Sequence, residues 1–115
     1  MFRLVCLALA FLIAASIAPP SATSAGADAA LIARGHAIAK ENCSRCHAIG
    51  MTDVSANPKS PPFRTLAQKY PLANLEEALS EGIMVGHQGP EMPVFQFDPA
   101  QIDALLAYIE SVQEK

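Results

Sequence analysis

The sequence predicts a small all-α domain built from three to five short helices. Apolar residues recur at three- and four-residue steps in residues 27–42 and again in residues 98–112, which is the period of an α-helix with one buried face. No segment shows the strict alternation of apolar and polar residues that is typical of a half-buried strand. A chain of 115 residues is long enough for one domain of this kind and no more.

Residues 1–25 are predicted to be a cleavable secretory signal peptide rather than part of the domain. Arg3 precedes an apolar run over residues 4–18, and small residues follow as far as Ala25, which is the order of an export signal. The run of roughly 15 residues is shorter than the ~20 that span a bilayer, so cleavage is favoured over a membrane anchor. Cleavage after Ala25 would leave a domain of residues 26–115 with no stable membrane association.

The mature domain is predicted to be acidic. Without Arg3, seven of the eight Lys and Arg residues remain against all 11 Asp and Glu residues, which gives a formal charge of −4. This balance argues against a nucleic-acid-binding protein. It favours a partner protein with a basic docking surface.

The segment Cys43-Ser44-Arg45-Cys46-His47 carries the strongest functional signal. Two cysteines three positions apart, followed at once by histidine, are typical of a site that attaches c-type haem. Each thiol would form a thioether with the porphyrin, and His47 would bring an imidazole nitrogen to the iron. Bound haem would also complete the core of a chain this small.

Three other interpretations of the motif fit the sequence less well. A zinc site would need four ligands, and Cys6, the third cysteine, lies within the predicted signal peptide. A thioredoxin-like redox pair would need a βαβ pattern around it, which the sequence lacks. A disulfide between Cys43 and Cys46 would close too small a loop to stabilise the domain much.

Residues 48–62 form a predicted loop rich in Gly, Ser, Asn and Pro. An iron-bound imidazole usually donates its second N–H to a carbonyl, which fixes the ring and strengthens the ligand. Pro61 and Pro62 lack an N–H but carry carbonyls, so they are the candidate acceptors for His47. The alternative is an ordinary turn before a helix.

A second irregular segment, over residues 83–97, offers candidates for the sixth iron ligand. Met92 lies in a Pro-x-Met-Pro loop, where a thioether could bind iron opposite His47 and block the position at which oxygen would react. The competing candidates are Met84, Met51 and His87, and His87 would give a bis-histidine site of lower potential.

The first and last helices are expected to pack together. Gly35 lies inside the first predicted helix, over residues 27–42, where glycine costs ~1 kcal/mol relative to alanine. We interpret it as the point where the last helix comes close. That last helix should begin at Asp98, with Pro99 at its first position and Gln101 at its third.

Two shorter helices are predicted between them. The first covers residues 63–70, after a pair of prolines and before Pro71, and its apolar stripe consists of Phe63, Leu66, Ala67 and Tyr70. Residues 75–80 form the second, with Asn74 as the N-cap and Gly82 as the terminating residue.

Taken together, these features resemble a class I c-type cytochrome over nearly all of the mature chain. The matching features are Gly35 eight residues before Cys43, the Cys43-Ser44-Arg45-Cys46-His47 motif, Met92-Pro93 in a late loop, and a final helix ending Leu105-Leu106-Ala107-Tyr108-Ile109. Ala39 departs from the family, which often has an aromatic residue there.

The resemblance implies a cytochrome c-like fold in which helices wrap around one covalently bound haem c and the first and last helices cross. It implies thioethers at Cys43 and Cys46, with His47 and Met92 as the axial ligands of the iron. It also implies export, because bacterial haem attachment takes place outside the cytoplasmic membrane.

The expected function is electron transfer in the periplasm by a monomeric carrier of a respiratory chain, which is not an enzyme. Its donor and acceptor would be other redox proteins, whose identity the sequence leaves open. Two alternatives remain: a dedicated subunit of a periplasmic dehydrogenase or oxidase, and a haem enzyme or gas sensor with a displaceable sixth ligand.

Overall fold

The computed structural model describes residues 24–82 and 92–115. In these ranges it contains helices and no strand: α1 (Ser24–Asn42), a 3-10 helix (Phe63–Thr65), α2 (Leu66–Lys69), α3 (Ala73–Glu81) and α4 (Pro99–Ser111). The all-α prediction is confirmed. None of the helices in these ranges is long and apolar enough to span a bilayer. Of the predicted signal peptide, only Ser24 and Ala25 are described, at the start of α1.

The first and last helices cross at Gly35, as predicted. A Cβ atom placed on Gly35 would overlap the carbonyl oxygen of Ala104 and lie 2.7 Å from Cβ of Tyr108. Ala39, one turn further along α1, and Ala104 are both completely buried. Small side chains on both helices therefore let the two backbones approach closely, and Ala39 contributes to this contact in place of an aromatic residue.

The core lies along the α1–α4 contact and extends to the segment after the cysteine motif. Tyr108 is only 8 % exposed, and its hydroxyl donates to the Ile49 carbonyl at 2.7 Å. This hydrogen bond ties α4 to the loop over residues 48–62. The buried cluster consists of Ala39, Cys43, Ile49, Phe63, Leu66, Leu105, Tyr108, Ile109 and Val112.

The predicted helix ends are correct at α4 and at the end of α3. Asp98 accepts a hydrogen bond from the Gln101 amide, while the Gln101 side chain accepts one from the Asp98 amide. This reciprocal pair satisfies two amides that have no partner inside the helix. Gly82 ends α3 with φ 67°, a left-handed conformation that glycine adopts without steric cost.

The predicted start of α3 is wrong. Asn74 lies inside the helix, which begins at Ala73 with Leu72 as the N-cap and no side-chain cap. The Asn74 amide donates to the Pro71 carbonyl at 3.0 Å, so the turn that follows Pro71 leads directly into the helix. Local turn formation after proline therefore outweighed the capping preference of asparagine.

The helix predicted over residues 63–70 is divided into the 3-10 helix and α2. Ala67, which was assigned to the apolar stripe, is exposed. Its amide donates at 2.8 Å to the side chain of Gln113, beyond the end of α4. This part of the chain is thus fastened to the C-terminal segment by hydrogen bonds as well as by apolar packing.

Candidate functional site

The Cys-x-x-Cys-His motif follows α1 without a break. The Cys43 amide donates to the Ala39 carbonyl at 2.8 Å, and the His47 amide donates to the Cys43 carbonyl at 2.9 Å. These bonds continue the helix into a tight turn, so the two cysteines and the histidine stay close together. Cys43 is buried, Cys46 is half-buried, and both are free thiols.

Two cavities, with volumes of about 70 Å³ and about 260 Å³, adjoin the motif. Cys43, His47 and Met92 line both cavities. The first is otherwise mainly apolar, with walls formed by Phe63, Leu66, Tyr70, Leu75, Ala78, Leu79, Leu105 and Ile109. The second is more polar, with walls formed by Glu41, Asn42, Arg45, Cys46, Ser60, Pro93 and Phe95.

The His47 ring is held by a carbonyl and by an aromatic ring. Nδ1 lies 2.8 Å from the Pro61 oxygen, and the Phe63 ring centroid lies 5.4 Å away with a tilt of 51°. Because a carbonyl can only accept, Nδ1 must carry the proton, and Nε2 is then the nitrogen with a lone pair for a metal. The Pro62 carbonyl accepts instead from the amide and hydroxyl of Thr65.

The loop between His47 and Pro61 is fixed by hydrogen bonds from side chains. Ser55, which is buried, accepts from the Ala48 amide at 2.9 Å. The carboxylate of Asp53 accepts from the amides of Ile49 and Gly50 at 3.1 and 2.9 Å. Such bonds give a loop without regular secondary structure the backbone partners it would otherwise lack.

Arg64 links this loop to the C-terminus. Its guanidinium donates to the Asp53 carbonyl at 2.9 Å and pairs with the Glu114 carboxylate at 3.1 Å. The Arg64 carbonyl in turn accepts from the Glu114 amide at 2.8 Å. Sequence reasoning missed this role, because the partners are up to 50 residues away and no local pattern connects them.

Of the candidates for the second axial ligand, Met92 lies at the cavities. It is half-buried, and the rings of Phe95 and Phe97 stack just after it, with centroids 5.4 Å apart. Met51 is 55 % exposed and lines neither cavity. Met84 and His87 lie outside the described residues.

The chemistry of the site suits a large apolar group that forms bonds with sulfur and nitrogen. Burial raises the pKa of the Cys43 thiol to about 11, so this thiol is neutral at pH 7 and sits in an environment that tolerates a thioether better than a charged thiolate. No group of three or more His, Cys, Asp or Glu residues that could hold a metal ion occurs in the described ranges. The residues present fit a haem: two thiols, one imidazole of fixed tautomer, one methionine and an apolar wall.

The comparison with protein families agrees with this fit. A family model described as Cytochrome c matches residues 32–113, a range that includes the motif, both prolines and Met92. The chain belongs to the cytochrome c family. Haem c with its iron, covalently attached, is therefore the cofactor of this cytochrome, and haem-based electron transfer is its general activity. Neither the curated proteins nor the solved structures contain a match to the chain.

Proposed function

We propose that this cytochrome is an exported, monomeric one-electron carrier with haem c attached through Cys43 and Cys46 and with His47 and Met92 as axial ligands. The observation that carries the proposal is that Cys43, His47 and Met92 line the same cavities. When bound, the haem iron supplies reversible one-electron exchange between its ferric and ferrous states. Family membership is compatible with a carrier rather than an enzyme.

The roles of the chain's own residues follow from their surroundings. The Pro61 carbonyl accepts a hydrogen bond from Nδ1 of His47 and keeps the ring in one orientation. Leu75, Leu79 and Leu105 exclude water from the first cavity, which limits the solvent rearrangement that accompanies a change in charge. A site that holds both ligands on a packed scaffold is suited to electron transfer rather than to binding of a further substrate at the iron.

The test of the ligand assignment compares Met92→Ala with Met51→Ala in holoprotein purified from a periplasmic fraction, where a mature N-terminus at Gly26 is expected. Met92→Ala should lose the weak long-wavelength absorption band of the ferric protein that reports sulfur ligation, and it should bind carbon monoxide rapidly when reduced. Met51→Ala should change neither property, because the Met51 side chain is exposed and lines neither cavity. A band that persists in Met92→Ala would reject Met92 as the ligand.

Other outcomes of the same experiment would favour the alternatives. Wild-type protein that binds carbon monoxide rapidly would favour a sensor or enzyme with a displaceable ligand. Wild-type protein that co-purifies with a large dehydrogenase or oxidase would favour a dedicated subunit. Holoprotein that elutes as a monomer and exchanges electrons with separate redox proteins would support a diffusible member of a respiratory chain.

A further inference from the structure

We infer that Gln113, beyond the end of α4, is a positioning residue that holds the Pro61 carbonyl against His47 and thereby sets the reduction potential. The inference rests on the proposed ligation of the iron by His47. Gln113 was not singled out from the sequence. It acts through the backbone of the segment that follows Pro61.

The Gln113 side chain uses three hydrogen bonds to join α4 to the segment of the 3-10 helix and α2. Its amide nitrogen donates to the carbonyls of Phe63 and Ile109, both at 2.7 Å. Its amide oxygen accepts from the Ala67 amide at 2.8 Å. A primary amide can donate and accept at once, so no smaller or charged side chain would satisfy all three backbone groups.

The backbone groups that Gln113 binds are connected to Pro61 through a short and rigid segment. Only Pro62 separates Pro61 from Phe63, and both prolines have a fixed φ. The Phe63 amide donates to the Ala48 carbonyl at 2.9 Å, next to His47. A displacement of Phe63 would therefore move both its ring, which contacts the His47 ring, and the Pro61 carbonyl.

The hydrogen-bond donor, Nδ1 of His47, and the acceptor, the Pro61 carbonyl, are thus positioned by two helices that pack tightly against each other. α1 leads directly into the motif and places His47, while α4, through Gln113, places Phe63 and Pro61. The two helices meet at Gly35 and Ala104 with almost no free space. The distance of 2.8 Å between Nδ1 and the Pro61 oxygen is therefore set by the helix frame as well as by the loop between them.

The strength of this hydrogen bond bears on the iron. Donation from Nδ1 to a carbonyl makes the imidazole a more basic ligand, and a more basic ligand stabilises the ferric state. When the carbonyl moves away, this stabilisation falls, so the reduction potential should rise. A residue that served only to hold the fold together would change stability and leave the potential of the folded protein unaltered.

The experiment measures the reduction potential of folded holoprotein for Gln113→Met, which keeps the length of the side chain but removes all three hydrogen bonds. The potential should shift to more positive values, and the His47 Nδ1 proton should exchange with solvent faster than in the wild-type protein. Gln68→Met is the matched control, because Gln68 is exposed on α2 and should leave both values unchanged.

A second variant tests whether Gln113 acts on the Pro61 carbonyl through the backbone of Pro62. It also replaces the first variant if Gln113→Met does not fold. Pro62→Ala keeps Gln113 and its contacts but frees the φ angle between Phe63 and Pro61, and it should shift the potential in the same direction. An unchanged potential in the folded variants, with wild-type His47 Nδ1 exchange, would overturn the inference while the haem spectrum still supports the proposed ligands. Failure of the proposed function would instead appear as wild-type protein without His47-bound haem.

Discussion

The neighbours of Pro61 and Pro62 determine which of the two carbonyls contacts the His47 ring. The sequence left Pro61 and Pro62 as equal candidates, because both carry carbonyls and both precede a predicted helix. The structure separates them through Thr65, whose amide and hydroxyl both bond to the Pro62 carbonyl. Pro61 is thus the one that contacts His47. The start of the 3-10 helix determines which carbonyl is left to accept a hydrogen bond from His47. A sequence of three residues does not predict whether a helix is of the 3-10 or the α type.

Tyr108 is a residue whose importance depends on a distant partner. Its hydroxyl meets the buried carbonyl of Ile49, 59 positions earlier in the chain. Sequence periodicity placed Tyr108 on α4 but could not identify this contact, because spacing within a helix carries no information about a loop elsewhere.

We expect Tyr108→Phe to destabilise the holoprotein by about 1–3 kcal/mol, because the Ile49 carbonyl would remain buried without its donor. Urea unfolding at neutral pH measures this loss. Tyr70→Phe is the comparison: its hydroxyl makes no hydrogen bond within the described residues, and its removal should cost less. Equal losses in the two variants would contradict the importance of the Ile49 contact.

The same phenol should make stability depend on alkaline pH. Burial, and secondarily the charge of Asp53, raise the pKa of Tyr108 above its ordinary value of 10.0. The folded state therefore holds this proton more tightly than the unfolded state does. The contribution to stability is complete below pH 10 and is lost as the pH rises through the higher folded-state pKa. Tyr108→Phe should flatten this decline.

At the scale of whole elements, the sequence predicted the helices that have strong local signals and the contact between α1 and α4. The reciprocal cap at Asp98 and the left-handed Gly82 are local features, and both are confirmed. The start of α3 was misjudged, because Asn74 looks like a cap although the turn after Pro71 begins the helix two residues earlier, at Ala73. The split of residues 63–70 was missed because it depends on bonds to Gln113 and Glu114.

The close contact between α1 and α4 predicts that Gly35→Ala destabilises the holoprotein by about 1–3 kcal/mol, the usual cost of overpacking a filled core. Alanine would favour the helix itself by ~1 kcal/mol, but its Cβ would overlap a backbone carbonyl that cannot rotate away. Denaturant unfolding gives the free-energy difference. Ala37→Ser, which adds one atom on the exposed side of α1, is the control and should stay within about 0.5 kcal/mol. A more stable Gly35→Ala protein would show that the helices separate at little cost.

At the scale of the molecule, α4 buries its apolar side chains in the protein core, whereas α3 directs its apolar side chains to the first cavity. α4 buries Ile102, Ala104, Leu105, Tyr108 and Ile109. α3 has no buried residue, and its apolar side chains Leu75, Ala78 and Leu79 line the first cavity. α3 should therefore depend on the cofactor for burial of its apolar face, whereas the α1–α4 pair has a contact of its own.

This difference predicts an unequal response to loss of the cofactor. The mature chain with Cys43→Ala and Cys46→Ala, prepared without haem, should lose hydrogen-exchange protection first in α3, whose amides should exchange close to the rate of an unfolded segment. Amides of α1 and α4 around Gly35 and Ala104 should retain measurable protection, because their packing does not pass through the cavity. The unfolding transition should also become broader, since a domain of about 90 residues has a small hydrophobic core and unfolds less cooperatively when part of that core is lost. Protection of α3 equal to that of α4 in the haem-free chain would mean that the cavity wall is stable by itself, and that the cofactor is not what holds this helix in place.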